Sequence, residues 1–182
     1  QLLSELPGRF ERLDHRADER GLLVATLDKK RQQALLARWQ DARWGAALYL
    51  PRTRFALEGL CLYRDSARND FLFLLGEEGI GEQWLVAENG RPLGEARRVR
   101  ALSLPPQSSF CQVDDASDSL YVNEEQVGVW RYPAGAEAPL LREPVELVAP
   151  FGQLARSAAG MAVLPEALER KGVVTQHHLL PR

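Results

Sequence analysis

The side chains with the most chemical potential in this sequence are carboxylates gathered in short, turn-like segments: Glu77-Glu78 with Glu82, Asp114-Asp115 with Asp118, and Glu124-Glu125. Oxygen ligands of this kind hold hard cations such as Ca²⁺ when a fold brings several of them together. The same residues suit solvated turns and charged strand edges. Spacing alone favours that plainer reading, because no run matches an EF-hand loop or a glycine-rich calcium repeat. The three histidines, His15, His177 and His178, form no H-E-x-x-H pattern, which argues against a zinc enzyme. No G-x-S-x-G elbow surrounds Ser103, Ser108, Ser109, Ser117 or Ser119. The run Gly76 to Gly81 reads G-E-E-G-I-G, and its two acids would repel the phosphate that such a glycine loop otherwise cradles. Cys61 and Cys111 are not spaced as a metal knuckle. Two buried apolar thiols are expected, with a single bridge as the arithmetic alternative.

Short strands must position these groups. The chain has 182 residues, 45% of them apolar, with 23 Lys+Arg against 25 Asp+Glu. That composition belongs to a globular protein and excludes disorder, collagen and coiled coil. A net charge of -2 with evenly scattered charges supplies no general cationic surface, so no nucleic-acid partner is expected. The longest apolar runs, Gly21 to Leu27 and Phe71 to Leu75, are strand-sized, so no membrane partner is expected either. The start Gln1-Leu2-Leu3-Ser4-Glu5-Leu6 lacks the features of an export signal and reads as a mature form or an excised fragment.

Apolar alternation and β-branched or aromatic residues predict strands at 22–27, 33–39, 57–63, 71–75, 82–87, 97–102, 110–113, 120–123, 128–132, 145–148 and 160–163. Turn signals separate them, among them Glu88-Asn89-Gly90 and Pro105-Pro106. One alternative is a single amphipathic helix over Lys29 to Trp39. The fold expected is all-β.

One phrase recurs along the chain. Leu13, Leu60, Cys111 and Met161 occupy equivalent places, 47, 51 and 50 residues apart, a length that holds one four-stranded propeller blade. The copies span about residues 10–50, 55–104, 108–150 and 157–182, the last being degenerate after Pro165. The expected architecture is therefore a partial β-propeller of three to four blades, part of a six-bladed whole, with Glu166 to Arg182 as a ragged continuation. A twisted β-sandwich is the alternative, but it does not explain the period. Trp84 and Trp130 fall at matching places in two copies, where a large ring is expected in the core between blades.

Three pieces in order carry a family resemblance: Glu58-Gly59-Leu60-Cys61-Leu62-Tyr63, Gly76-Glu77-Glu78-Gly79-Ile80-Gly81-Glu82-Gln83-Trp84, and Val113-Asp114-Asp115 followed by Ser119-Leu120-Tyr121-Val122-Asn123-Glu124-Glu125 and Val129-Trp130-Arg131-Tyr132. From about Arg54 to Trp130 the chain resembles the β-propeller phytases, calcium-dependent phosphatases acting on inositol hexakisphosphate. The resemblance implies calcium ions in an acidic channel, metal-assisted hydrolysis, and a secreted or periplasmic location.

Taken residue by residue, Glu125 falls on a calcium-associated glutamate of the family, with Glu124 and Asp115 as further candidate metal ligands. Three positions depart from the pattern. Glu58 stands where the family has a phosphate-binding Tyr, Glu77 where it has a Lys, and Ser109 where it has a Glu. At an effective dielectric of about 20, a carboxylate about 4 Å from a phosphate is repelled by roughly 4 kcal/mol per unit charge. The resemblance thus implies a degenerate, non-catalytic domain, accessory to an active phytase domain in the same chain, with phytate or calcium-phytate as the parent's partner. Two alternatives follow from the residues: a new metal site built from Glu58, Glu77, Glu82 and Glu125 on another phosphorylated substrate, or a propeller platform for protein partners.

Overall fold

A computed structural model describes residues 8–164 and 178–181, and among them every regular element is a β-strand. The first sheet runs β1 (Phe10–Asp18), β2 (Gly21–Asp28), β3 (Gln33–Gln40) and β4 (Arg43–Trp44), with β5 (Leu48–Tyr49) also on β3. The second is β6 (Gly59–Arg64), β7 (Asp70–Leu75), β8 (Ile80–Glu88) and β9 (Arg91–Ser103). The third is β10 (Cys111–Asp114), β11 (Ser119–Glu124), β12 (Gly128–Pro133) and β13 (Glu143–Leu147). A two-stranded pair, β14 (Met161–Leu164) with β15 (His178–Pro181), follows. All strand pairs are antiparallel and, apart from β5 on β3, join successive strands, so each large sheet is a meander of the kind that forms a propeller blade. The all-β expectation holds. Most of the stretch Glu166 to Arg182 lies outside the described residues.

The alternating pattern explains how the sheets stack. Successive residues of a strand face opposite sides. In β7, Leu72 and Leu74 enter a core shared with Leu23, Leu36 and Trp84, while Phe71, Phe73 and Leu75 enter a second core with Leu120, Val122 and Tyr132. The second sheet is therefore buried on both faces, which is why DFLFLL reads as a continuous apolar run. Trp84 fills the first core as expected, and Trp130 packs partly buried against the second.

The turns follow their chemistry. Asn89 (φ 49°) and Gly90 (φ 72°) both adopt the left-handed conformation in the two-residue β8–β9 hairpin. The helix alternative over Lys29 to Trp39 is overturned. The Asp28 carboxylate accepts the backbone N–H groups of Lys30 and Arg31 at 3.1 and 3.0 Å, closing a turn, and Gln33 onward pairs with β2. The strand β1 was not expected at nine residues. Its sequence FERLDHRAD is mostly polar, and the pairing with β2 together with a bulge at Glu11/Leu13 makes it a strand.

The cysteines also correct an expectation. Cys61 and Cys111 are not free thiols but a disulfide, with an S–S distance of 2.06 Å and Cα atoms 5.8 Å apart. The reason is positional: both lie in the first strands of successive sheets, and β6 and β10 run side by side. Two cysteines 50 residues apart along the chain are thus next-door neighbours in space.

Candidate functional site

The first strands of the sheets, β1, β6, β10 and β14, adjoin one another and define the inner side of the stack. Their two ends carry different chemistry. At the far end lie the turns that follow β1, β6 and β10. Arg16 sits among them and ties three sheets together. Its Nε donates to Asp115 at 2.7 Å, its Nη1 to Asp14 at 3.2 Å, and its Nη2 to the Leu62 carbonyl at 2.6 Å. The buried Asp14 carboxylate also accepts the Leu62 N–H at 2.8 Å, and Asp115 accepts the Arg64 N–H at 3.2 Å. Arg64 in turn bridges Asp70 and Asp18. Burial works against the Arg16 charge, but its carboxylate partners outweigh that and raise its pKa.

Asp18 shows the converse balance. Burial would push its carboxyl up, yet the hydrogen bonds from Arg38 and the Arg20 N–H, with the Arg38 and Arg64 charges, hold it below the usual carboxylate range. A depressed carboxylate stabilises the fold above its unfolded pKa and loses that contribution as pH falls through its folded pKa. Asp18→Asn should therefore flatten the loss of stability below about pH 4, a range set by the ordinary Asp value. Urea melts at pH 3 and pH 6 check this, and equal acid sensitivity in both proteins would refute it. Tyr63 donates to Asp118 at 2.6 Å at this end, and its phenol is pushed up, first by burial and then by that hydrogen bond.

At the near end, β6 and β10 begin and the β2–β3, β7–β8 and β11–β12 turns fall. Here the structure places Glu58, Glu77, Ser109, Glu124 and Glu125. Asn123 organises the inner part of this end. Its buried side chain accepts the N–H groups of Ser109 and Phe110 at 3.0 and 2.8 Å and donates to the Ala158 carbonyl at 2.7 Å. Gln107 N–H donates to the Glu77 carbonyl at 2.7 Å, and Ala158 N–H to the Glu125 carbonyl at 2.8 Å. A continuous path of backbone and amide contacts thus runs from Glu77 to Glu125. Gly59 has a geometric reason to be glycine here, since a Cβ at that position would lie 2.6 Å from the Ser109 carbonyl oxygen.

The candidate metal ligands do not converge. Asp115 and the Glu124-Glu125 pair stand at opposite ends of the six-residue β11, about 15 to 20 Å apart at the usual rise per residue. Asp115 is occupied by Arg16. Glu124 accepts the Trp130 indole N–H at 2.8 Å, and Glu125 is exposed. Glu82 is buried and accepts from Trp84 Nε1 and Arg98 Nη1, each at 2.9 Å. Among the described residues no three His, Cys, Asp or Glu side chains gather as a metal-binding group. These side chains do not fit a calcium centre.

Sequence reasoning overlooked Arg12, Arg16 and Asn123. A polar amide directly after the apolar run Leu120 to Val122, still within strand β11, was a readable signal for Asn123. Arg16 carried none, because its partners come from three sheets. A depression of about 370 Å³ opens beside the first strands, lined in part by Arg12, Leu60, Ser109, Phe110 and Met161.

The chain resembles known proteins in two respects. The Phytase family model matches residues 55–163. A 3-phytase of Bacillus subtilis (strain 168) is 29% identical over 77 residues, which is 42% of this chain and 20% of that protein. The matched part is thus about a fifth of that relative's length.

Proposed function

The chain belongs to the phytase family, and on that premise we propose that it is an accessory, non-catalytic phytase-like domain of a calcium-dependent phosphatase that acts on phytate. The observation that carries this reading is the pair of carboxylates, Glu58 and Glu77, at places where the family resemblance puts phosphate-holding Tyr and Lys. Glu77 is exposed and Glu58 half-buried at the near end. Two negative charges there oppose a substrate whose phosphates are themselves negative. The engagement of Asp115 by Arg16 and of Glu124 by Trp130 supports the same reading.

The fold is kept in spite of these changes. Its cores, its disulfide and the Arg16 network do not depend on the side chains of Glu58, Glu77 or Ser109. An active phytase domain in the same polypeptide is the proposed partner. The Cys61–Cys111 disulfide supports a secreted or periplasmic location, where such bridges persist.

The test is release of inorganic phosphate from phytate by the purified chain, in Ca²⁺ and then in chelator, beside a Glu58→Tyr, Glu77→Lys variant. The native chain is expected to release no phosphate above the blank. Efficient, chelator-sensitive turnover by the native chain would refute the non-catalytic role.

A further inference from the structure

The near end carries exposed charges of both signs, sorted by sheet. On the second and third sheets the carboxylates Glu77, Glu78 and Glu125 are exposed, whereas the first sheet exposes the cations Arg9, Arg12, Lys30, Arg52 and Arg54. Among the described residues none of these side chains forms an ion pair. Their neighbours Lys29 and Arg31 do, with Glu11 and Asp28. Hydrogen bonds gather the basic residues from three segments. Lys29 N–H donates to the Arg9 carbonyl at 3.3 Å, and the linker holding Arg52 and Arg54 is pinned beside the β2–β3 turn by Leu50 N–H to the Ala34 carbonyl at 2.9 Å and Leu57 N–H to the Gln32 side chain at 3.2 Å.

The acidic half also exposes apolar side chains. Ile80 follows Glu77 and Glu78 at the start of β8, and Val127 follows Glu125 in the β11–β12 turn; both are exposed. Val148 N–H donates to the Val127 carbonyl at 2.8 Å and Phe151 N–H to the Val148 carbonyl at 3.1 Å, so Phe151 is held on the same side of this end. Phe151 is 85% exposed, the largest value among the exposed large hydrophobic residues. A bare ring beside carboxylates suits a guanidinium, and this chain already makes that contact three times, with Arg12 on Phe110, Arg31 on Tyr49 and Arg142 on Trp130.

We propose that this end is a self-association face, on which a second copy of the chain docks with its acidic, apolar half over the basic half of the first. A two-fold axis lying in the plane of the face, along the border between the halves, places each half against its opposite, so one contact is made twice. A wholly acidic or wholly basic partner would satisfy one half and be repelled by the other; a second copy satisfies both. The net charge of -2 is too small to keep two copies apart. Three sheets about 10 Å apart, each four strands about 4.8 Å apart, give an end face on the order of 500 Å² per copy, the size of a transient contact and not of an obligate one. The inference is independent of whether the chain hydrolyses phosphate.

The experiment is sedimentation analysis of the full chain over a concentration series, beside two charge-reversed variants. One carries Lys30→Glu, Arg52→Glu and Arg54→Glu, which makes the face acidic throughout. The other carries Glu77→Lys, Glu78→Lys and Glu125→Lys, which makes it basic throughout. All six positions are exposed, and circular dichroism verifies the β-fold of each variant. The native chain is expected to enter a monomer–dimer equilibrium that weakens at least about tenfold when sodium chloride rises from about 0.1 M to about 1 M, as the Debye length falls from about 10 Å to about 3 Å. Each variant alone should be monomeric, and the two mixed in equal amounts should form a heterodimer. A native chain that stays monomeric across the series would overturn the inference. So would a native dimer that both variants retain, a mixture of the variants that remains monomeric, or growth past the dimer, which a closed two-fold contact forbids.

Discussion

Removing the Cys61–Cys111 bridge, by Cys61→Ala with Cys111→Ala, should lower the free energy of unfolding by about 4 kcal/mol. The bridge closes a stretch of 50 residues, and in the chain-entropy account a loop of that length contributes on this scale by restricting the unfolded chain. The cost is not confined to the unfolded state. Cys61 is fully buried and Cys111 nearly so, both in the core between the second and third sheets. Denaturant titration of native and variant protein measures the difference. Thiol labelling of the unreduced, unfolded native protein gives an independent check. No reactive thiol is expected, and two would show that the bridge is absent in solution.

Arg16→Met should cost about 3 kcal/mol, at the lower edge of the range for breaking a buried ion pair, because the Arg16 side chain keeps 18% exposure. The substitution leaves methylenes to pack but strands Asp14, whose side chain is 9% exposed, and withdraws the donor from the Leu62 carbonyl. The penalty is that of an uncompensated carboxylate more than of a lost attraction. A control at Arg97, which is 64% exposed and stands 3.7 Å from Glu88, should change stability by under about 0.5 kcal/mol. A double-mutant cycle pairing Arg16→Met with Asp115→Asn should show coupling of about 1 kcal/mol or more. Additive effects would mean that Arg16 does not join the first sheet to the third.

What could be read from the sequence was local, and what could not was contact between sheets. Continuous apolar runs marked β2, β3 and β7 because each strand is buried on both faces over most of its length. The signature disappears in β1, where one buried position, Asp14, is a carboxylate and the rest of the strand is half-buried or exposed. Its strand character comes from pairing with β2 and from the Arg16 network, neither of which is a property of nine residues alone. The disulfide was misread for a related reason, since the distance between Cys61 and Cys111 along the chain says nothing until β6 and β10 are set side by side. The acidic turns were found, but their grouping was not. Glu124-Glu125 and Asp114-Asp115 look adjacent in the sequence, yet β11 separates them by its whole length.

The burial of β7 on both faces also shapes where this protein can change over generations. A strand that feeds two cores has no indifferent position: any substitution within it meets packed neighbours, and a one-residue insertion exchanges the two sets. Heritable variation is thereby pushed out of the sheet interior and into the turns and linkers that cap it. Glu58 and Glu77 stand in such places, beside strands that tolerate little. The architecture allows ligand-facing groups to drift, or to be lost and regained, while the blades beneath them stay the same.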